Sequence, residues 1–295
     1  MSFGYQVLGF GGSGTAALPA NDNGIFVYGS GPFNGSNLVS NVGVIQADVA
    51  GVGTPRAYGA ACEYGGDKGI VGYGEGPSNL TNLVSSAGVV STDVTGVGTA
   101  RAYVGACAYG NDKGIFGYGG TYVSLTNLIS NVGVASTDVT GVGTARNYPG
   151  ACEYGGDKAI FAYGDTGSKV SLSNLVSNAG VVATDVTGVG TARGELAACS
   201  YGGDKGIFGY GVNAKTAVTN LVSNVGVVGT DVTGVGSARN VLSACEYGGD
   251  LAIFGYGLNG GYNSMTNLVS NVGVVATDVT NTSTKRIGPN ACSYN

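Results

Sequence analysis

One eight-residue word recurs six times in this chain: DNGIFVYG from Asp22, DKGIVGYG from Asp67, DKGIFGYG from Asp112, DKAIFAYG from Asp157, DKGIFGYG from Asp204 and DLAIFGYG from Asp250. Successive copies are 45, 45, 45, 47 and 46 residues apart. Three other marks keep the same step. They are an arginine (Arg56, Arg101, Arg146, Arg193, Arg239, Arg286), a cysteine (Cys62, Cys107, Cys152, Cys199, Cys245, Cys292) and a segment such as TNLVSSAGVVSTDVTGVG from Thr81. A period of 40 to 50 residues made of short apolar runs is the signature of β-propeller blades. An α-solenoid would need 3.6-residue periodicity, which no segment shows, and a β-helix would need a shorter repeat.

Within one repeat the pattern predicts four strands: A over Ala60 to Tyr64, B over Gly69 to Tyr73, C over Asn82 to Ser86 and D over Val89 to Val94. Gly-rich and Asn-Gly-like turns separate them. Strands B and C do not alternate apolar with polar residues, as expected of a blade covered on both faces by its neighbours. The ends are complementary. The chain closes on Arg286-Ile-Gly-Pro-Asn-Ala-Cys292, a strand A with no blade of its own, and residues from Asn21 supply B, C and D with no A. Pairing the two would complete the first blade and remove the open sheet edges. The expectation is an all-β chain, a single six-bladed β-propeller of four-stranded blades over residues 21–295, preceded by an N-terminal arm over 1–20.

Composition narrows the function classes. The 295 residues include 57 glycines, 11% charged residues and no tryptophan, with 43% hydrophobic residues. That hydrophobic share sets the chain outside the disordered class. A net charge of −5 gives no basic field to gather phosphates, so nucleic acid is not an expected partner. No stretch has transmembrane length, so membrane insertion is not expected, and residues 1–20 lack the cationic and apolar regions of a secretory signal.

There is no histidine, which removes the commonest general base, the usual nucleophile arrangements and the commonest zinc ligand. Neither an enzyme activity nor a cofactor or metal is expected. Equivalent cysteines in successive blades would stand too far apart to bridge. They read as small buried residues on a crowded inner strand, with a thiolate ring as the alternative. Asp67, Asp112, Asp157, Asp204 and Asp250 follow Gly-Gly or Gly-Asn and suit tight turns, with calcium ligation as the alternative. Glu63, Glu75, Glu153, Glu195 and Glu246 form no evident catalytic pair. The six arginines, expected near the channel mouth, could bind an anion. Their regularity favours a structural Arg ring that stitches adjacent blades through free carbonyls or Asp93-type residues.

Variation between repeats points to one face. In up-and-down blades the A–B and C–D turns share a face and hardly change. The B–C loops (SGPFNGS, EGPSNL, GTYVSL, DTGSKVSL, VNAKTAV, LNGGYNSM) and the residues after each Arg (AYGA, AYVG, NYPG, GELA, NVLS, IGPN) lie on the other and differ. That face could carry recognition, with Phe33, Tyr122, Tyr148 and Tyr262 as anchors; relaxed selection on exposed loops would look the same.

The arginine before strand A, the turn into an aliphatic-aromatic-Gly strand B and the polar C–D turn resemble the kelch class of propeller repeats. One Gly follows Tyr73 where kelch repeats carry two, and strand D has no tryptophan. The combination of DKGIFGYG with TNLVSNVGVV and TDVTGVG is similar to repeat arrays of bacteriophage proteins. That resemblance implies a virion structural or attachment role, partnered by other particle proteins or by a surface glycan or protein, and a location in the virion or in the host cytoplasm before assembly. A soluble carbohydrate- or protein-binding propeller is the alternative, which the irregular placing of Tyr and Phe disfavours.

Overall fold

The computed structural model describes residues 22–30 and 33–294, and the expected arm over 1–20 lies outside them. Among the described residues every regular element is a β-strand, and none is a helix able to cross a membrane. The strands form six small antiparallel sheets. Sheet 1 joins Asn290–Tyr294, Asn23–Val27 and Ser36–Val39. Sheet 2 contains Ala60–Tyr64, Lys68–Gly74 and Ser78–Val84. Sheet 3 contains Gly105–Tyr109, Lys113–Gly117 and Thr126–Ile129. Sheet 4 has Gly150–Tyr154, Lys158–Asp165 and Lys169–Val176, and sheet 5 has Ala197–Tyr201, Lys205–Gly209 and Thr219–Val222. Sheet 6 adds a two-residue fourth strand, Val279–Thr280, to Ser243–Tyr247, Leu251–Gly255 and Met265–Val269.

Among the described residues the last strand pairs with the first, Ile25 opposite Cys292 and Phe26 opposite Ala291. The middle strands are buried on both faces, with Ile25, Ile70, Ile115, Ile160, Ile207 and Ile253 all at 0% exposure. That is why DKGIFGYG does not alternate. Each such strand ends on a tyrosine with positive φ, such as Tyr73 (64°) and Tyr163 (63°), beside a register shift between Gly72 and Gly74 and between Ala162 and Gly164. The bulge rotates the tyrosine ring out of its own sheet and into the interface with the next.

The expected fourth strand is only partly formed. Thr81 pairs with Val94 and Val84 with Val90, as isolated bridges. Two residues lie between Thr81 and Val84 and three between Val90 and Val94, so the outer segment carries an extra residue. Its ladder is interrupted where Asn82 Nδ2 donates to Ser91 O and Asp93 Oδ1. A side chain therefore takes an acceptor that a regular strand would give to a backbone N–H.

Packing occurs between sheets. Cys62, Ile70 and Tyr73 of sheet 2 cluster with Val104 and Phe116 of sheet 3, and corresponding clusters join sheets 3 and 4, 4 and 5, and 5 and 6. Sheet 1 packs on sheet 2 through Ile25, Val27, Ala61 and Val71, and on sheet 6 through Phe26, Ala291, Ile253 and Tyr256. The strand Asn290–Tyr294 accordingly contacts both Ala60–Tyr64 and Ser243–Tyr247. Edge-on ring pairs cross these interfaces, such as Tyr118 with Phe161 at 5.2 Å, and are worth about 0.5–1.5 kcal/mol each beyond their burial.

A polar relay accompanies the apolar clusters, running from Arg to Asn to Asp in sheets 2 to 5. In sheet 2 the Arg56 guanidinium donates to Tyr73 O (2.7 Å) and Asn82 Oδ1 (2.6 Å), and Asn82 donates to Asp93 (2.9 Å). Asp93 then accepts from the backbone N–H and hydroxyl of Thr54, in the connection from sheet 1. The same Asp-to-Thr or Asp-to-Ser link occurs at Asp138, Asp185, Asp231, Asp278 and Asp48.

Candidate functional site

The six arginines are not at a channel mouth. Their exposure is 4% or less, and each guanidinium lies over the positive-φ tyrosine of the preceding sheet: Arg101 over Tyr73 at 4.4 Å, Arg146 over Tyr118 at 4.1 Å, Arg193 over Tyr163 at 4.3 Å, Arg239 over Tyr210 at 4.2 Å. Arg56 covers Tyr28, and Arg286 covers Tyr256 and also Phe33. The sequence placed them by order along the chain. The bulged tyrosine, which draws each guanidinium into the interface, carries no separate signal.

Two concavities lie where the inner strands begin and end, and the cysteines stand between them. All six thiols are free and buried, and burial pushes them up, far from the thiolate state. Each abuts the middle strand of the next sheet: a Cβ on Gly114 would come within 2.5 Å of Cys62 Sγ, and one on Gly69 within 2.4 Å of Cys292 Sγ. Among the described residues no group of three or more ligand side chains is placed to hold a metal ion.

At the A–B turn end the concavity holds about 200 Å³ and includes Glu63, Glu153 and Glu246, from sheets 2, 4 and 6. Ala108, Ser200 and Ser293 hold the equivalent positions in sheets 3, 5 and 1. Burial, then the Glu63 carboxylate, pushes Glu153 up to about 8, and burial with Glu63 and Glu153 raises Glu246 well above the usual carboxylate range. The sequence showed no catalytic pair among these residues because they are some 90 residues apart; the fold gathers three of them. The turn aspartates link neighbouring sheets through their main chain, Gly65 N–H donating to Asp112 O and Gly110 N–H to Asp157 O, both at 2.8 Å, while their carboxylates accept from the adjacent lysine, Lys113 to Asp112 at 2.7 Å and Lys158 to Asp157 at 2.6 Å. Asn178, in a C–D turn, donates to Asp157, so these two turn types do share a face.

The opposite concavity is formed by the residues two past each arginine: Tyr58, Tyr103, Tyr148, Glu195, Val241 and Gly288. All six have positive φ, from 52° to 62°. For tyrosine and β-branched valine this backbone is costly, about 1–3 kcal/mol, and needs an external constraint. The constraint is a run of main-chain bonds between connections: Gly288 accepts from Tyr58 (3.1 Å), Tyr58 from Tyr103 (2.7 Å), Tyr103 from Tyr148 (2.9 Å), Glu195 from Val241 (2.9 Å) and Val241 from Gly288 (2.9 Å).

The three tyrosines form one cluster, with ring centroids 5.4 Å apart for Tyr58 and Tyr103 and 4.4 Å for Tyr103 and Tyr148. Burial, then Glu75 and neighbouring rings, pushes Tyr58 up to about 12; burial, Tyr103 and Glu195 raise Tyr148 further. Glu195 accepts from Asn240 Nδ2 and lies 3.8 Å from Lys169 Nζ, which also pairs with Asp165 at 2.9 Å and stands 6.0 Å from the Tyr148 ring.

Of the four anchors expected from sequence, only Tyr148 lies in this cluster. Phe33 is half-buried under Arg286, and Tyr122 and Tyr262 are exposed in B–C loops, at 46% and 47%. Tyr58 and Tyr103 were missed, although AYGA, AYVG and NYPG put tyrosine in the same column of three consecutive repeats. The premise that aromatics are placed irregularly is thereby corrected: loop tyrosines scatter, but those after the arginines stand at equivalent positions. No protein-family model matches the chain, and no curated protein matches it.

Proposed function

We propose that the chain is a closed six-bladed β-propeller acting as a non-enzymatic binding module, with recognition at the tyrosine-lined mouth. The observation that carries this reading is the break in repetition there. Tyr58, Tyr103 and Tyr148 occupy half of a six-position ring, and Glu195, Val241 and Gly288 the other half. Positions that only maintain the fold, such as Arg, Asn82-type and Asp93-type residues, keep one identity in all six repeats. Half-buried aromatic clusters in a concavity are the usual anchors of binding sites. Ring closure is supported by the pairing of Asn290–Tyr294 with Asn23–Val27 and by the packing of sheet 1 on both sheets 2 and 6.

The setting on a phage-like particle, as an attachment or structural component, rests on the resemblance of the repeat words. Its test is mass spectrometry of gradient-purified particles from the source, where reproducible stoichiometric copies are the expected result. The soluble carbohydrate- or protein-binding alternative gains from the regular column of tyrosines. Glycan and protein arrays probed with the wild type and with the Tyr58→Ala/Tyr103→Ala variant test the recognition face itself. Loss of the retained ligand in the variant is expected; equal retention by both would move recognition elsewhere.

A further inference from the structure

Resting on the recognition face proposed above, we infer that the tyrosine-lined mouth takes a small organic cation, an alkylammonium or quaternary ammonium group. The chain supplies its own example. Lys169 brings a primary ammonium to the rim of this cavity, 6.0 Å from the Tyr148 ring and 3.8 Å from Glu195. An ammonium group flanked by an aromatic face and a carboxylate is the arrangement by which proteins recognise such cations.

Three further features agree. The charged groups around the rings are predominantly acidic: Glu75 and Glu195 both act on the Tyr58 hydroxyl, and Asp165 holds Lys169 from behind. Among the described residues the ammonium at this rim is that of Lys169, and its charge is already shared between two carboxylates. The cavity holds about 110 Å³ and its floor is built from Gly59, Gly105, Gly150 and small neighbours, a space for a compact group. Glu195 is also preorganised, because Asn240 Nδ2 fixes one carboxylate oxygen while the other faces Lys169.

The role of Lys169 separates this inference from any reading in which it donates to the ligand. A cationic ligand competes with the Lys169 ammonium for the same seat, so Lys169→Ala should tighten binding. A sugar hydroxyl or an anion would use that ammonium as a donor, so the same substitution should weaken binding.

The experiment is an NMR titration of the full chain at constant ionic strength with choline, with its neutral carbon isostere dimethylbutanol, and with a methyl glycoside. The proposal expects saturable choline shifts at Tyr58, Tyr103 and Tyr148, none with the isostere, weakening of about fivefold in Glu195→Gln and tightening of about fivefold in Lys169→Ala. Equal binding of the isostere, or weaker choline binding in Lys169→Ala, overturns the cation inference. Saturable binding of the glycoside alone at these tyrosines also overturns it and leaves the recognition face standing. No perturbation of the mouth by any probe overturns it as well; the array comparison of the tyrosine variant then decides the recognition face separately.

Discussion

Thr284 donates its backbone N–H to Asp48, 236 residues earlier in the chain, at 3.2 Å, and its hydroxyl reaches the same carboxylate. This is the bond that Thr54 makes to Asp93 only 39 residues away. The contact between sheets 6 and 1 therefore uses the chemistry of every other sheet boundary, although a whole chain length separates its partners.

The proposed closure makes the last five described residues indispensable. Removing residues 290–295 would strip Cys292 and Ala291 from Ile25 and Phe26, exposing the edge of a middle strand buried on both faces. Exposed apolar edges associate. The truncated chain is expected to lose its cooperative thermal transition and to elute as aggregate. A monomer melting like the full chain would contradict closure.

The arginine relay should be intolerant of lysine. Arg101 stacks on Tyr73 and donates from Nε to Tyr118 O at 2.8 Å and from Nη2 to Asn127 at 2.7 Å. A lysine ammonium cannot be planar and forked at once. Arg101→Lys is expected to cost about 2 kcal/mol, and Arg101→Ala about 3–5 kcal/mol because Asn127 and Tyr118 O lose their buried donor, as measured by urea denaturation. An Arg101→Lys variant within about 0.5 kcal/mol of wild type would refute the stacking argument.

How much of this was legible beforehand differs by element. The inner and middle strands could be read because their words repeat and because both-face burial leaves unbroken apolar runs. The inner strand Ala60–Tyr64 falls where the pattern placed it. The outer segment could not, since Val89 and Val94 look like strand residues but are 64% and 47% exposed, and Asn82 takes the carbonyl that would have continued the ladder. At the mouth the residue types were visible and their meeting was not. Tyr58 and Tyr148 are 90 positions apart, and only the main-chain bonds between connections bring their rings to 6.4 Å.

The thiols offer a direct probe of packing. Cys62, Cys107, Cys152, Cys199, Cys245 and Cys292 are buried and pushed up by burial, so a native sample should give no reaction with Ellman's reagent on the minutes scale. Six equivalents should react together in denaturant. Partial reaction in the native state would place some thiols in contact with solvent. Gly114→Ala should cost no more than about 1.5 kcal/mol, because Ala159 and Ala252 already occupy that position in sheets 4 and 6, whereas Gly114→Val has no room beside Cys62.

Two sets of carboxylates act on stability in opposite directions with pH. Burial alone would raise Asp93, but its bonds from Thr54 and Asn82 outweigh that and hold it below 3.8, as also happens at Asp48, Asp138, Asp185, Asp231 and Asp278. Their contribution is complete above pH 3.8 and is lost as pH falls through the lowered folded values. Glu153 is raised from 4.5 to about 8, so the folded state keeps a proton that the unfolded chain has released. Its contribution is complete below pH 4.5 and declines until pH 8, by at most about 1.4 kcal/mol per pH unit for one proton. Stability should therefore peak near pH 4 to 5, lower than is usual for a folded protein. Glu153→Gln cannot release a proton and should flatten the decline between pH 5 and pH 8 while leaving the acid limb intact. Urea midpoints across pH 3 to 9 for the two proteins read both limbs, and an unchanged alkaline limb in Glu153→Gln would show that the three glutamates do not share their charge as their placement requires.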